Sequence, residues 1–525
     1  MKLIFPIAGA VTFLSAIALS QSQSTREITR DQLRDKIEGG WAGQMIGVSY
    51  GAPTEFRFRQ AMVPEDKLPK WRPEMVSNAL NQDDLYVDMT LAKVLDDKGL
   101  DATTDDFGAM FKEAKYQLWH ANLAARRNLK RGVPATLSGT PKYNAHANDI
   151  DFQIESDFIG LMAPGQFQFT NSLSWRAGRV MNAGDGIYGG MFISGMYAAA
   201  FFEKDVRKIV EAGLACLPQK SPYALAIRDV LTWSEQNPDW TKTWQAINEK
   251  WDKREPCPEG ALKPFNIDAK LNGAYVALGL LYGKGDFSKT MEVATKAGQD
   301  SDCNPSSAGG IVGVMLGYKG IPKEWSSGIE GLADRKFNFT EYTFHTIVDS
   351  TEKRALALIA KSGGSVNGDK ITVKMQKPTA AKLDLWDDYG SPVERVPSSD
   401  ARWSWKGEWM KPAAGSAPGR GGPAPDTKAS STKGAEATIT FNGTGAIVTG
   451  PYLPTGGTAQ VYLDGKLDRT VDVYPDEDSR KRGESVWHAF GLKNGPHTIR
   501  LVVLGEPATG SKGADIEIED LVYFR

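Results

Sequence analysis

The chain has 525 residues, 41% of them hydrophobic and 24% charged, with a net charge of −2. That is the balance of a folded globular protein of two to four domains at about 150 residues each. So even a charge gives no field that would draw in nucleic acid or an anionic membrane surface. Three cysteines exclude a disulfide scaffold, and five scattered histidines, with no Cys-x2-Cys or His-x3-His spacing, argue against zinc.

The first twenty residues, MKLIFPIAGAVTFLSAIALS, carry Lys2, an apolar run from Leu3 to Leu19, and small residues before a polar continuation. This reads as a secretory signal peptide cleaved near Ser20, so a periplasmic or extracellular location is expected. No other segment approaches the ~20 apolar residues of a membrane-spanning helix. In that oxidising setting Cys216–Cys257 is the expected disulfide, because Cys303 sits inside an acidic motif.

From residue 25 to about 362 the pattern is helical. TRDQ places Thr29 and Gln32 as a capping box, and Leu33, Ile37, Trp41 and Met45 then share one helix face. Gly39, Gly40, Gly43 and Gly47 interrupt that helix at up to ~1 kcal/mol each; close approach of a second helix is the natural compensation. GGMFISGMYAAAFF and LNGAYVALGLLYG are apolar nearly all round, as central helices of a large bundle should be.

A helix near Val348–Ala360 is followed by a connecting segment, 363–399, in which GDKITVKMQKP reads as a strand. Short strands then dominate residues 400–525: ATITFNG, AIVTG, AQVYLDG, HTIRLVVLG and IEIEDLVYF, with a hairpin turn at Asp464-Gly465. They predict an all-β sandwich, jelly-roll-like. The Pro/Gly-rich stretch 411–434 reads as a mobile loop within it.

Two helix starts carry paired acids. In NQDDLYVDMTLAKVL, Asp83 and Asp84 occupy the first turn and Asp88 lies one turn beyond Asp84. In AGQDSDCNPSSAGG, Asp300 and Asp302 precede a run of small residues. An EF-hand is excluded, since Pro305 and Ile311 stand where that loop needs Gly and Glu. Acids favour helix N-termini in any case, but crowded carboxylates with hard oxygens also suit Mg2+, Mn2+ or Ca2+. A third acidic stretch, NDIDFQIESDFIG, puts Ile150, Ile154 and Phe158 on one face. Asp149, Asp151, Glu155 and Asp157 fall between apolar residues, as sugar-hydroxyl ligands or as general acid or base. Asp185, in a glycine-lined turn, and Trp119 and His120 are further pocket candidates.

A glycine-rich helix ending in Gly-x-Pro with Glu55, then Asp-Asp at a helix start, then Asp-x-Asp before a small-residue helix: this order resembles the ADP-ribosylglycohydrolase family over residues 33 to 320. The resemblance implies an all-α domain with a binuclear Mg2+ or Mn2+ centre that cleaves a glycosidic bond at ribose C1. It carries the family's metal ligands onto Gln82, Asp83 and Asp84 and onto Asp300, Asp302 and Cys303, and its acid/base onto Glu55. Three departures stand out. Gln82 offers an amide oxygen for a hydroxyl, Cys303 offers a thiol where Mg2+ prefers oxygen, and Ser49-Tyr50 replaces an aspartate.

The expected protein is thus an exported hydrolase needing one or two Mg2+ or Mn2+ ions, acting on a small-molecule or glycan substrate, with Glu55, Glu155 and Asp157 as acid/base groups. Export favours O-glycosides of furanoses or other sugars over ADP-ribosyl groups. The β region resembles accessory modules of carbohydrate-active enzymes, with Trp403, Trp405, Trp409, Tyr452 and Trp487 as possible platforms for a polysaccharide, although most suit a sandwich core. The rival readings are a non-catalytic carbohydrate-binding protein and a Ca2+-stabilised adhesin.

Overall fold

The computed structural model describes residues 24–252, 256–384, 389–412 and 426–525. The signal segment and most of the 411–434 loop lie outside the described residues. Among the described residues seventeen α-helices lie between Arg30 and Lys361, and antiparallel strands fill the C-terminal part. No helix among the described residues is long and apolar enough to cross a membrane.

The capping box forms as the sequence requires. Thr29 Oγ1 accepts from Gln32 N at 3.1 Å, and Thr29 N donates to Gln32 Oε1 at 3.0 Å. The helix it opens, Arg30–Gly51, is buried from Gly39 onward. Its main partner is the antiparallel Cys303–Leu316 helix. A Cβ on Gly39, Gly43, Gly47 or Gly51 would overlap the backbone carbonyl of Gly313, Gly309, Pro305 or Ser301 respectively. The four-residue glycine period is therefore a backbone-to-backbone seam. It draws Ser301 and Asp302 onto the end of the first helix.

The third acidic stretch departs from a single helix. It forms Asp151–Ile154 and Asp157–Leu161, broken at Glu155 and Ser156. The break turns successive acids inward, and Asp149, Asp151, Glu155 and Asp157 are all buried. Strands Thr25–Thr29, Lys370–Lys374 and Ser365–Asn367 make a small sheet belonging to the helical part.

The C-terminal strands form a five-stranded and a four-stranded antiparallel sheet, plus a two-stranded ribbon. Pro392–Pro397 already pairs with Asp520–Phe524. Alternate residues of Glu436–Gly443, Gly457–Leu463 and Gly495–Pro507 point inward: Ala437, Ile439, Phe441, Ala459, Val461, Ile499, Leu501 and Val503 are buried. The Asp464-Gly465 turn has φ of 51° and 78°, with Leu463 paired to Lys466, as a type I′ hairpin demands. Gly445–Tyr452 is instead buried at every position. Its outer face meets the helical part, where Ile447, Val522 and Phe524 pack with Ala145 and Ala261.

Polar contacts close the same seam. Arg127 donates to Tyr474 O and Asp472 O, both at 2.8 Å, with its guanidinium 3.6 Å above the Tyr452 ring. Arg131 pairs with Asp472 and Asp476, and Arg395 Nη2 donates to Glu259 O at 3.1 Å. Tyr452, Trp403 and Trp487 are core residues. Trp405 stacks on Trp403 with a part-exposed ring, and Trp409 meets Trp405 edge-on.

The expected disulfide is absent. Cys216 lies beside Gly195, whereas Cys257 packs in a different cluster with Ile150, Ile154, Phe265, Ile267 and Cys303. A thiol can be held by packing alone, so sequence position among acids was no guide to pairing.

Candidate active site

The glycine seam delivers the first component. Where the Arg30–Gly51 helix ends, Thr54 Oγ1 lies 2.8 Å from Ser301 Oγ. Glu55, half-buried, follows one residue later, close enough to Asp300 to act on its ionisation. On the other strand of this junction Gln299 has a left-handed φ of 59°, and Asn272 Oδ1 accepts from Asp300 N at 3.2 Å and Asn304 Nδ2 at 2.9 Å. Asp300 and Asp302 are thereby fixed at the N-terminus of the Cys303–Leu316 helix, at 3% and 2% exposure.

The Asp83–Lys98 helix brings the second pair. Cys303 Sγ donates to Asp84 Oδ2 at 3.3 Å across 219 residues of sequence, and lies 3.9 Å from Asp302 Oδ1. Ligand atoms of Asp300, Asp302 and Cys303 lie within 4.8 Å of one another. Asp83 is half-buried on the solvent side, and Gln82, the N-cap, has its amide nitrogen engaged by Asn78. Asp84, Asp300, Asp302 and Cys303 thus meet around one point, with Asp83 close enough to act on Asp302 and Cys303, while the Gln82 amide turns to Asn78.

Burial raises the carboxyl pKa of Asp83, Asp84, Asp300 and Asp302, and neighbouring carboxylates push the last three further. Besides burial, the largest influences on Asp84 and Asp302 are acids, a thiol and a hydroxyl. Cys303 is held as a neutral thiol by burial and by the same acids.

Behind this cluster lies a second layer. Asp88, fully buried, accepts from Gln44 Nε2 at 3.2 Å and Phe158 N at 3.1 Å. Asp157 meets Ser307 Oγ at 3.5 Å and is raised to about 7 by burial. Beside the cluster, Asn122 clamps two acids: its backbone N–H donates to Asp151 Oδ1 at 2.9 Å and its side chain to Glu155 Oε1. Asp151 is raised to about 7 by burial and the nearby Asp149, and Glu155 is raised strongly by burial and Asp151. Asp84 Oδ1, Asp88 Oδ1, Asp151 Oδ2, Glu155 Oε2 and Asp157 Oδ1 are buried oxygens with no hydrogen-bond partner. Such atoms cost ~1–3 kcal/mol each when left unmet, and more if charged.

Three candidates sit farther out. Trp119, 42% exposed, stands at the start of the His120–Lys130 helix with Lys481 Nζ 4.5 Å from its ring. His120 and Asp149 share a neighbouring cluster with His146. Asp185 belongs to a different network: it accepts from Tyr223 N at 3.2 Å and lies near the Lys270–Asp268 pair, raised to about 7 by burial. A surface hollow of about 340 Å3 lined by Lys204, Arg207 and Asn237 involves none of these acids.

Asn122, Gln44 and His146 had no sequence signal strong enough to single them out. Asp88 had one, its place one turn after Asp84.

An ADP-ribosylglycohydrolase-related protein complex is 16% identical to the chain, covering 62% of it and 98% of that chain at a TM-score of 0.37. A carbohydrate-binding module, CBM36, solved with calcium and xylotriose, is 12% identical and covers 25% of this chain and 100% of its own at a TM-score of 0.17. Among curated proteins, the A type blood alpha-D-galactosamine galactosaminidase of Flavonifractor plautii is 41% identical over 69 residues, 13% of this chain. The match spans only 6% of that relative's length. The ADP-ribosylglycohydrolase family profile matches residues 29–358, more than half the chain and the whole of the acid cluster. The chain belongs to the ADP-ribosylglycohydrolase family.

Proposed function

We propose that this protein is an exported, divalent-metal-dependent glycoside hydrolase acting at the anomeric carbon of a ribosyl or other glycosyl substrate. The observation that carries the reading is the meeting of Asp84 with Asp302 and Cys303 in a buried cluster whose acids raise one another's pKa. The donor set fits Mg2+ or Mn2+: Asp83, Asp84, Asp300 and Asp302 supply hard oxygens. Cys303 is the poor member. One or two such ions, when bound, polarise a water and order adjacent sugar hydroxyls.

The chain's own residues supply the rest. Glu55 stands on the solvent side of Asp300, where it can pass a proton to the leaving oxygen and take one from the attacking water. Glu155 and Asp157, their carboxyl pKa values raised by burial, are the reserve acids. The free oxygen of Asp151 would accept from a sugar hydroxyl, and the exposed Trp119 ring, with Lys481 Nζ 4.5 Å from it, would offer a surface to a sugar ring.

Screening the mature protein against aryl glycofuranosides, aryl glycopyranosides and ADP-ribosylated protein tests this. Hydrolysis of at least one class is expected with Mg2+ or Mn2+, with at least a hundredfold loss in chelator. Turnover indifferent to chelator, or sugar binding without any turnover, would overturn it.

Cys303 gives a narrower expectation. Restoring an oxygen by Cys303→Thr should tighten Mg2+ binding, read by calorimetry, because a hard cation gains an oxygen donor and Asp84 keeps a hydroxyl hydrogen-bond donor. Equal affinity and stoichiometry in both proteins would make Cys303 a packing residue of the Ile150–Phe265 cluster.

A further inference from the structure

We infer that His120, His146 and Asp149 form a separate metal site, suited to a borderline divalent ion such as Zn2+, at the seam between the helical part and the sandwich. Ligand atoms of the three side chains lie within 4.8 Å of one another, and the site shares no residue with the aspartate cluster. Asp149 Oδ2 lies 2.7 Å from His146 Nδ1 and 3.9 Å from His120 Nδ1. Tetrahedral zinc with bonds of ~2.0–2.1 Å sets its ligand atoms roughly 3.3 Å apart, between those two values. Two imidazoles and one carboxylate select for zinc-like ions over Mg2+.

Two further features point to a ligand. Asp149 Oδ1 is buried without a hydrogen-bond partner, in a residue 0% exposed. His120 is the one member near solvent, and its backbone is left-handed at φ 48°. A non-glycine residue is held so only where its surroundings fix it, and such positions cluster at functional sites.

The sandwich supplies the outer partner. Glu484 Oε2, on the Lys481–Ala489 strand, lies 3.4 Å from His146 Nε2. A metal-ligating histidine characteristically gives its second ring N–H to a carboxylate, which fixes the tautomer and turns the other nitrogen to the ion. Here that leaves Nδ1 facing Asp149. Without metal, Nδ1 carries the proton shared with Asp149; binding releases that proton to solvent and puts the ion in its place. The two histidines stand 26 residues apart and Glu484 lies on a remote strand, so no short spacing betrays the site.

The test titrates Co2+ and Zn2+ into the full-length mature protein held in saturating Mg2+. One equivalent should bind, with a visible Co2+ absorption of a nitrogen-containing, low-coordinate site. His120→Ala should abolish it while leaving the far-ultraviolet spectrum and melting temperature in Mg2+ unchanged. Asp302→Asn should retain it, which separates this site from misloading of the acid cluster. Glu484→Gln should keep the stoichiometry but weaken affinity roughly 10–100-fold, as loss of an outer-shell partner does. Absence of a bound equivalent, or equal uptake by the parent and His120→Ala, would overturn the assignment.

Discussion

Gly47→Ala should lower unfolding stability by about 3 kcal/mol and take metal binding and turnover with it. In a helix, alanine is ordinarily better than glycine by ~1 kcal/mol, so the local propensity runs the other way. The added methyl, however, would overlap the carbonyl of Pro305, with Ser306 N next nearest. These are backbone atoms of a helix buried along its length, and they cannot rotate aside as a side chain could. Overpacking typically costs ~1–3 kcal/mol, and a backbone obstacle puts this case at the upper end. The only relief is to part the two helices, which shifts Ser301 and Asp302 away from Thr54 and Glu55. Urea unfolding and Mg2+ calorimetry read both effects. Gly331→Ala is the control, since nothing lies within 4 Å of its added Cβ and its φ is not positive; it should be neutral or mildly stabilising. Gly47→Ala as stable and active as the parent would mean that the seam does not position the site.

The same seam shows what could be read from sequence. A glycine period of four, a capping box and two acidic helix starts are local patterns, and each maps directly onto geometry: where the helix begins, which face is close-packed, where the acids sit. The order of those motifs then sufficed to reach the family. The NDIDFQIESDFIG stretch was less legible. Asp151 and Glu155 share a helical face on paper, a pattern that equally describes a solvated stripe. Their burial depends on Asn122, on the break at Ser156 and on elements far away in the chain. The sandwich strands were visible as alternation, but Gly445–Tyr452 is buried on both faces because a second domain covers it. The His146–Glu484 contact spans that interface, and only the tertiary fold brings the two together. Likewise Cys216 and Cys257 looked like partners because sequence counts thiols without locating them.

Glu55→Gln should reduce turnover by roughly 10²–10⁴, the usual contribution of a positioned general acid or base, with fold and Mg2+ affinity retained. The amide matches the carboxylate in size, and the Thr54–Ser301 contact that sets the backbone here does not involve the side chain of residue 55. Glu55 is also near Asp300, so a rate loss alone leaves two roles open: proton transfer, or a share in holding the cation. They separate by metal dependence. A lost ligand raises the Mg2+ concentration needed for half-maximal rate, and excess Mg2+ restores kcat. A lost proton donor leaves the metal dependence in place and lowers kcat at every concentration. It also spares substrates with a good leaving group, such as nitrophenyl glycosides, more than alkyl glycosides, because the former need little protonation at the departing oxygen. Unchanged turnover on both would move the acid/base role to Glu155 or Asp157. Those two are fully buried with raised pKa values, and they reach the anomeric centre only if the sugar enters past Asp83.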